Sequence, residues 1–522
     1  MKRTVKKLVA AGLTLTSVMS LVACGSSSSD SSTTASKSSA EVTKPDKFTV
    51  MADGTVVTEQ NGGEAFYEYL KSLTDLDIEW VRPDHSGYYD AVGNAFNSED
   101  GMPDVLLLSA DYYSLYAASG FLWNMTDAWN NSETKNSGRL IDTADNVLNA
   151  LMVNGEDGKQ GMYGLSTYRG NGCVTYVKET WLNQAGYTRE DVENKTLTFD
   201  EYYAMCKKMH EVTGKSVISA AGFIGTEAPY TNYLPEFYQQ AHYTFYKDST
   251  GKYVDGFNTQ EMKDALTRIG KGVSEGVIDQ ESINNSTSNV RDKFDADETG
   301  VFTYWAGKWA ETLRDHLAGK GLDDKLVTLK PIKELGTYVE RIAPAWCITT
   351  HAQNPEGIFK YFIDTMLDGG DVQTAWTYGA KGTHWDTKAE TVTLEGAEDK
   401  GTTYTEGQFH MLPSPEKPNS LMQANNIDPL LSLAKFKNGD PGEATIAQNA
   451  KDSIEFFANN STVVSPVPMT EELGDNIADI NKERNIIVAA VATGTMTADQ
   501  GMTEYTAKVG NLVDTVLKSL NK

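Results

Sequence analysis

Apolar runs of strand length alternate with helix-length amphipathic stretches early in the chain, and this alternation constrains the fold more than any other feature. Lys47 to Val50 and Asp77 to Val81 have strand patterns, and a third, buried strand is predicted from Pro103 to Leu108. Between them, Gly62 to Leu73 and Tyr88 to Phe96 carry apolar residues at helical spacing. This order predicts an α/β fold with a mainly parallel sheet covered by helices.

Helix-like and strand-like stretches continue further along the 522-residue chain. The chain from 443 to 522 is mostly helical in pattern, and no repeat of fixed period is present. This length has room for two to four compact units. Further helices are predicted over Phe199–Glu211, Thr259–Glu275 and Pro355–Leu367, and strands over Val301–Tyr304 and Ala345–Thr350.

The charge balance excludes one class of partner. The chain holds 46 Lys and Arg against 72 Asp and Glu, a formal net charge of −26. Affinity for nucleic acid depends largely on attraction between cations and phosphates, so this field would repel a phosphate backbone. Nucleic acid is therefore excluded as a partner.

The amino terminus has the pattern of an export signal. A basic segment, Met1 to Lys7, precedes an apolar stretch from Leu8 to Leu21 that is too short and interrupted for a membrane span. The following Leu-Val-Ala-Cys-Gly, residues 21–25, resembles a bacterial lipobox. The resemblance implies a lipoprotein signal peptide over 1–23, cleaved before Cys24, and lipidation (palmitate) of the Cys24 thiol. An ordinary signal peptide with a chance cysteine is the alternative.

A polar segment follows Cys24 and fits a tether. Residues 25–43 hold 12 Ser or Thr in 19 and no aromatic residue. Such a composition cannot bury enough apolar surface to fold. We therefore assign 24–44 to a lipidated cysteine and a flexible tether. No later run is apolar enough to span a bilayer. The predicted location is the cell membrane, lipid-anchored and facing the extracytoplasmic side.

Cysteine and histidine give no sign of a metal or a cofactor. After Cys24 only Cys173, Cys206 and Cys347 remain, without CxxC spacing. One disulfide with a free thiol and three buried thiols are both open, and we take the second as the default. The seven histidines include no HExxH pair, and the paired ligands of a zinc cluster are missing. No metal and no cofactor are expected.

Several segments, in order, carry a resemblance to a known family. The run MPDVLLLSADYYSLYAASGFLWNMTD, residues 102–127, resembles the end of the first lobe's initial sheet in family 1 extracellular solute-binding proteins. That group includes the maltose- and alginate-oligosaccharide-binding proteins of ABC importers. Four later segments are similar to elements of this family. Residues 163–182 resemble its crossover, 197–202 a helix start, 300–309 its "ingpW" element and 376–385 a glycine-rich loop.

The resemblance implies a two-lobe, periplasmic-binding-protein-like fold (type II). Its sheets are mixed, mainly parallel and flanked by helices, and its ligand cleft lies at the hinge. The expected divisions are lobe 1 over 45–168, lobe 2 over 169–340, a return to lobe 1 over 341–400, and a helical C-terminal part of lobe 2 over 401–522. One departure concerns calcium: where longer members often have Asp-x-Asn-x-Asn, residues 210–217 hold one acid, so no calcium site is expected.

The function implied is that of a substrate-binding lipoprotein of an ABC importer, with no catalysis of its own. The expected ligand is a carbohydrate, most simply an oligosaccharide. The expected partner is an integral-membrane permease with its ATPase, and the protein is expected to be a monomer that contacts the membrane by its lipid anchor only. The same fold binding a peptide or another polar solute is an alternative, and a surface glycosidase is a further one. With 72 acids, a pair of carboxylates can always be found, so their number does not separate these classes.

Aromatic residues in loop-like settings are candidates for sugar contact. Aromatic rings offer flat contact to the apolar faces of a pyranose, while polar side chains satisfy its hydroxyls. Ordinary core packing is the alternative for each of them. The candidates are Tyr230, Tyr233, Trp305, Trp309, Trp376 and Trp385.

Three polar candidates follow from their positions in the resemblance. Asp53 follows the first strand and Asp111 follows the strand that ends at Leu108, where the family presents acids to the sugar. Arg169 lies in the segment expected to enter the hinge. A turn at Asp53, a helix N-cap at Asp111 and a solvated loop charge at Arg169 are the alternatives.

Overall fold

A computed structural model gives the architecture of most of the chain. It describes residues 41–522 except 55–61, 85–86, 97–100, 225–231, 323–324, 397–400, 416–417, 423–426, 465–466 and 469. The signal peptide, Cys24 and most of the tether therefore lie outside the described residues. From Val42 onward the chain forms a compact unit.

The first part of this unit has the predicted strand–helix alternation. Its strands are β1 (Lys47–Met51), β2 (Asp77–Val81), β3 (Val105–Leu108), β4 (Met152–Asn154) and β5 (Gln160–Met162). Its helices are α1 (Gly63–Thr74), α2 (Tyr88–Phe96), α3 (Ala110–Ala118), α4 (Thr126–Asn130), α5 (Glu133–Asn136) and α6 (Ala144–Ala150). The predicted order is confirmed, with boundaries shifted by no more than two residues.

The middle part begins with β6 (Cys173–Lys178), a strand buried along its whole length. Its helices are α7 (Glu179–Gln184), α8 (Glu190–Glu193), α9 (Phe199–Thr213), α10 (Pro235–Tyr238), α11 (Gln260–Ser274), α12 (Thr287–Asp295) and α13 (Lys308–Gly319). Its other strands are β7 (Phe245–Lys247), β8 (Tyr253–Asp255), β9 (Val301–Trp305), β10 (Leu326–Thr328) and β11 (Tyr338–Glu340).

The last part returns to the first sheet and ends in long helices. It comprises β12 (Ala345–Ile348), α14 (Pro355–Ile358), α15 (Asp371–Tyr378), β13 (Trp385–Asp386), β14 (Glu390–Val392), β15 (Thr402–Tyr404), β16 (His410–Met411), α16 (Gln448–Asn459), β17 (Ser461–Val463), α17 (Glu471–Ala492) and α18 (Ala498–Leu520). The helix predicted over 355–367 is divided into α, π and 3-10 stretches.

Two hydrophobic cores define two lobes. The sheet of lobe 1 has the order β12-β3-β1-β2, in which β1 is parallel to β2 and β3, and β12 is antiparallel to β3. The sheet of lobe 2 has the order β10-β6-β9 with antiparallel pairs, and Ile218 adds a parallel bridge to Val301. Both sheets are therefore mixed, and the two-lobe α/β architecture agrees with the prediction. The predicted mainly parallel pairing is confirmed in the lobe 1 sheet, whereas the strands of the lobe 2 sheet pair antiparallel.

The segment from 427 to 434 contributes to both cores. The core of lobe 1 includes Ile427, Leu433 and Ala434, which lie beyond the predicted boundary at 401. The core of lobe 2 includes Leu431 and, further along, Ile454 and Phe457. The exact position of the last crossing between the lobes therefore stays a prediction.

Three chain segments lie side by side where the lobes meet, and we call them the hinge. The first, 165–171, pairs antiparallel with the second, 340–346, through Leu165 and Trp346. It pairs antiparallel with the third, 431–433, through Tyr168 and Ser432. The N–H of Arg169 donates to the Leu431 carbonyl at 2.7 Å.

The structure also bears on the cysteines and on the start of the folded chain. Cys173, Cys206 and Cys347 are all buried free thiols, as the default interpretation predicted. The tether was placed up to residue 44, but the chain is already held at Val42, whose carbonyl accepts from the Tyr361 hydroxyl at 3.2 Å. The compact unit therefore begins at Val42, three residues before the predicted start of lobe 1 at 45.

Candidate functional site

The edge of the lobe 1 sheet that faces the hinge carries Asp53. Strand β1 is parallel to β3, and Leu108 at the end of β3 pairs with Ala345 at the start of β12, directly after the second hinge segment. The carboxyl ends of β1 and β3 therefore face the hinge, which is where open α/β sheets bind ligands. Asp53 follows β1 and is half-buried at this edge.

Two tyrosines stand beside Asp53. The rings of Tyr89 and Tyr112 stack with 3.9 Å between centroids and 8° between planes. The Tyr89 hydroxyl accepts from the N–H of Ser109 at 2.9 Å. Burial raises the pKa of Tyr89, and the negative charge of Asp53 adds to the rise. An acid and a pair of aromatic rings thus occupy the lobe 1 side of the cleft.

Asp111 lies in the first turn of α3, next to this edge. The helix begins after Ser109, so the N-cap is Ser109, not Asp111. The side chain of Asp111 lies outside the described residues, and its role stays a prediction.

The edge of the lobe 2 sheet that faces the hinge carries Trp305 and Trp309. Trp305 ends β9 and pairs with Cys173, the first residue of β6 after the first hinge segment. Gly307 has a φ of 71°, and a Cβ there would meet Ile454 at 2.7 Å, so only glycine fits this turn into α13. The turn leaves the indole of Trp309 48% exposed, with its ring edge-to-face against Tyr304.

Charged groups of both lobes and the hinge meet beside these tryptophans. Lys308 begins α13, and burial lowers the pKa of its ammonium while Asp428 partly opposes the shift. Burial raises the pKa of the Asp428 carboxyl, and Lys308 partly opposes that shift in turn. The Arg341 guanidinium lies 4.6 Å above the ring of Trp305. Its positive charge also opposes the rise in the pKa of Tyr168 that burial causes. These groups can satisfy the hydroxyls of a polar ligand in the cleft.

Arg169 lies in the hinge but is committed to a structural contact. Its Nε donates to Glu340 Oε1 at 2.9 Å, its NH2 group contacts Oε2, and both side chains are buried. The bidentate pair engages Nε and one terminal nitrogen of the guanidinium. Ligand contact by Arg169 stays a prediction.

Trp376 belongs to the core of lobe 1. Its indole is 1% exposed and packs edge-on against Phe66, Trp346 and Phe362. The ligand interpretation does not fit this position, because no ring face reaches the surface.

Trp385 and Tyr233 are also packed inside. The indole N–H of Trp385 donates to the Gly379 carbonyl at 2.9 Å, and its ring stacks on Phe409. Tyr233 is 4% exposed, and its hydroxyl shares a hydrogen bond with Thr287 at 3.1 Å. Neither has an open ring face for a sugar. Tyr230 lies outside the described residues.

The structure thus brings Asp53, Trp305 and Trp309 to the hinge-facing edges of the two lobes. Arg341 and Asp428 join this group, and no sequence pattern predicts either of them. Asp428 had no local signal, because a loop far along the chain supplies it.

Two features are absent from the described residues. No group of three or more His, Cys, Asp or Glu side chains within them is placed to hold a metal ion. No helix in the described part of the chain is both long and apolar enough to cross a membrane.

The two lobes, the three-segment hinge and the polar, aromatic cleft define a binding protein of the two-lobe periplasmic type. Residues 57–368 match the family model of bacterial extracellular solute-binding proteins. The chain therefore belongs to the bacterial extracellular solute-binding protein family. No curated protein matches it.

Solved structures share this fold at low identity. A family 1 extracellular solute-binding protein from Alicyclobacillus acidocaldarius is 14% identical over 90% of this chain and 99% of its own, with a TM-score of 0.56. An N-glycan transport solute-binding protein from Streptococcus pneumoniae is 16% identical over 91% and 98%, with a TM-score of 0.56. An ABC substrate-binding protein from Listeria monocytogenes, in complex with cycloalternan, is 13% identical over 90% and 98%, with a TM-score of 0.55.

Proposed function

We propose that this protein captures a carbohydrate, most simply an oligosaccharide, between its two lobes and delivers it to the membrane permease of an ABC importer. The observation that carries the proposal is Trp309. It presents a large aromatic surface at the hinge-facing edge of lobe 2, while three other aromatic candidates are buried. A half-exposed indole at the start of a helix suits stacking on a sugar face.

Polar groups of lobe 1, of the hinge and of α13 complete the arrangement. Asp53 on lobe 1, together with Lys308 and Asp428 near the hinge, offers charge-assisted hydrogen bonds to hydroxyls. Ligand contacts on both lobes would stabilise a closed state, which the permease would recognise. The structural neighbours named for N-glycan transport and for a cycloalternan complex support a sugar ligand.

The lipobox-like residues 21–25 and the Ser/Thr-rich segment that follows support anchoring through a lipid on Cys24. The chain's membership of an extracellular family is consistent with this placement. A lipid anchor would hold the binding protein near its permease, and no chemistry of its own is needed for that role.

A thermal-shift screen of the mature protein tests the ligand class. Neutral oligosaccharides, acidic oligosaccharides and peptides form the three arms. A ligand present at 100 times its dissociation constant stabilises a protein by about 2.7 kcal/mol, which gives a readable rise in melting temperature. A rise with an oligosaccharide supports the proposal, and a rise with peptides alone contradicts it. Release of chromophore from aryl glycosides would indicate a glycosidase instead.

A further inference from the structure

The first hinge segment carries one tyrosine that is not buried. From 165 to 170 every residue is buried except Tyr168, which is partly exposed. Its ring packs against the cores of both lobes, so it lies where the lobes meet. The Tyr168 hydroxyl makes no hydrogen bond to a described residue, and the enclosed atoms that lack a partner include those of Thr167 and Tyr243 but not this one. It is therefore available to a group that enters from outside.

The ion pair of the hinge shows which side chains share a face with Tyr168. Consecutive side chains of an extended segment point to opposite faces. Arg169 and Glu340 pair with each other on one face. Their neighbours Tyr168 and Arg341 therefore project from the other face of the same two segments. The Arg341 guanidinium lies 4.6 Å above the ring of Trp305, so this second face is turned toward the tryptophan end of lobe 2.

Close backbone packing holds Tyr168 and Arg341 in place. A Cβ on Gly170 would lie 1.5 Å from the Arg341 carbonyl oxygen, so the first and second hinge segments meet backbone to backbone. The N–H of Arg341 donates to the Asn171 carbonyl at 3.2 Å. Stacking on Trp305 also orients the guanidinium. Groups that are positioned in advance lose little conformational freedom when a ligand binds.

Charges of opposite sign act on the Tyr168 hydroxyl. Burial raises the pKa of Tyr168, the positive charge of Arg341 opposes this rise, and the negative charge of Asp428 adds to it. The Asp428 carboxylate is held in position, because it accepts from the N–H of Leu430 at 2.9 Å. A strong donor and a strong acceptor therefore both lie within electrostatic reach of one neutral hydroxyl.

This mixture of charges selects the chemistry of the bound group. A carboxylate only accepts hydrogen bonds and is repelled by Asp428, whereas an ammonium only donates them and is repelled by Arg341. An alcohol both donates and accepts, so two adjacent hydroxyls can bond the guanidinium and the carboxylate at the same time. The arrangement therefore fits a neutral sugar unit with neighbouring hydroxyls.

We propose that Tyr168, Arg341 and Asp428 form a subsite at the hinge for one neutral sugar unit, which they hold through two adjacent hydroxyls. This inference rests on the proposed carbohydrate function. It adds where one unit of the ligand binds and that this unit carries no charge. The unit lies next to the one that stacks on the tryptophans of lobe 2.

Calorimetric titration with defined trisaccharides tests the subsite. The neutral probes are maltotriose, cellotriose, xylotriose and the trimer of N-acetylglucosamine, and the charged probes are trigalacturonate and the trimer of glucosamine. Each is titrated into wild type, Tyr168→Phe, Asp428→Asn and the control Tyr253→Phe. Tyr253 on β8 is a matched control, because it is also partly exposed and its hydroxyl makes no hydrogen bond to a described residue.

We expect at least one neutral trisaccharide to bind wild type more tightly than either charged one. Tyr168→Phe should bind that probe about 3- to 10-fold more weakly, because one hydrogen bond is lost. It should melt like wild type, since the hydroxyl has no partner in the described fold. Tyr253→Phe should match wild type in both affinity and melting temperature.

The second variant tests the charge selection. Asp428→Asn should bind the neutral probe about 10- to 100-fold more weakly, because a hydrogen bond to a charged group is lost. Its affinity for trigalacturonate should move closer to that for the neutral probe, since the repelling charge is gone. A merely structural Asp428 would leave this preference unchanged, which contradicts the subsite. If Asp428→Asn fails to fold, Tyr168→Phe decides alone.

Three further results would overturn the subsite. Equal affinity of Tyr168→Phe and wild type for the neutral probe places the sugar elsewhere, and the proposed function then stands. Tighter binding of a charged trisaccharide than of every neutral one contradicts a neutral unit, again with the function intact. Absence of binding by all six probes overturns the subsite, and the screen with longer oligosaccharides and peptides then decides the proposed function separately.

Discussion

Arg169 and Glu340 form a buried bidentate ion pair that joins the first and second hinge segments. The side chains are 9% and 2% exposed, and Ser461 of β17 also donates to the Glu340 carboxylate at 3.4 Å. The pair therefore ties together two of the chain segments at the junction of the lobes.

The first prediction concerns this pair. Arg169→Ala should lower the free energy of unfolding by about 3–5 kcal/mol, because it leaves the Glu340 carboxylate buried without its partner. The double variant Arg169→Met with Glu340→Leu should recover most of that loss, since neither charge remains. Urea unfolding of the three proteins measures both effects. Unchanged stability in Arg169→Ala would show that the pair is not structural.

A second prediction concerns pH. Burial raises the pKa of Glu236 to about 7, although Thr175 donates to its carboxylate at 2.7 Å. The folded state therefore holds this proton more tightly than the unfolded chain. The contribution of the protonated Glu236 carboxyl to stability is complete at pH values below the ordinary pKa of a glutamate. It is lost as the pH rises through about 7, the pKa of Glu236 in the folded state.

Between pH 4.5 and pH 8, this single group should remove about 3 kcal/mol of stability, at 1.36 kcal/mol for each unit of pKa difference. Glu236→Gln cannot titrate, so its unfolding free energy should fall less over the same interval. Urea unfolding of wild type and variant at both pH values measures the difference. Parallel pH profiles for the two proteins would contradict the raised pKa.

The anchor gives a third prediction. Cys24→Ala should leave the protein either unprocessed or released from membranes, because the lipid acceptor is gone. Fractionation of the producing cells with immunoblotting measures this, and Ser26→Ala, two residues further on, serves as a matched control. Correct cleavage of Cys24→Ala together with full membrane retention would refute lipidation at Cys24.

Closure of the lobes gives a fourth prediction. A ligand that contacts both lobes stabilises the closed state, so the radius of gyration should decrease when it binds. Small-angle X-ray scattering with and without the most stabilising oligosaccharide of the screen measures this change. An unchanged curve at saturation would argue against capture between the lobes.

The order of elements in lobe 1 could be predicted because its strands and helices have strong periodicity. The buried strand β3 and the amphipathic helix α2 were located from apolar spacing alone, and the structure places both where they were expected. Helix α9 likewise begins at the capping box of Thr198 and Glu201.

The site was harder to predict because burial depends on distant parts of the chain. Trp376 is surrounded by polar residues in the sequence, and this pattern predicts an exposed side chain. In the structure those polar residues are themselves buried on α15. Gln373, for example, donates to the Ala434 carbonyl at 2.8 Å and accepts from the N–H of Gly369. Local sequence cannot reveal that a segment some 60 residues later covers this helix.

The last prediction concerns Trp309, which we propose as the aromatic platform for a carbohydrate. Stacking on a sugar face should contribute on the order of 1–3 kcal/mol, by analogy with base stacking on aromatic residues. Trp309→Ala should therefore weaken binding by about one to two orders of magnitude. Because the indole is 48% exposed, the free energy of unfolding should change by only about 0.5 kcal/mol.

The most direct measurement is calorimetric titration of Trp309→Ala with the best oligosaccharide of the screen, paired with its melting curve. Ile486→Ala, which truncates a similarly exposed apolar side chain on α17, is the control and should bind like wild type. We predict weaker binding at nearly unchanged stability for Trp309→Ala. Affinity equal to wild type, or a loss of about 3–5 kcal/mol in stability as for a core tryptophan, would contradict the claim.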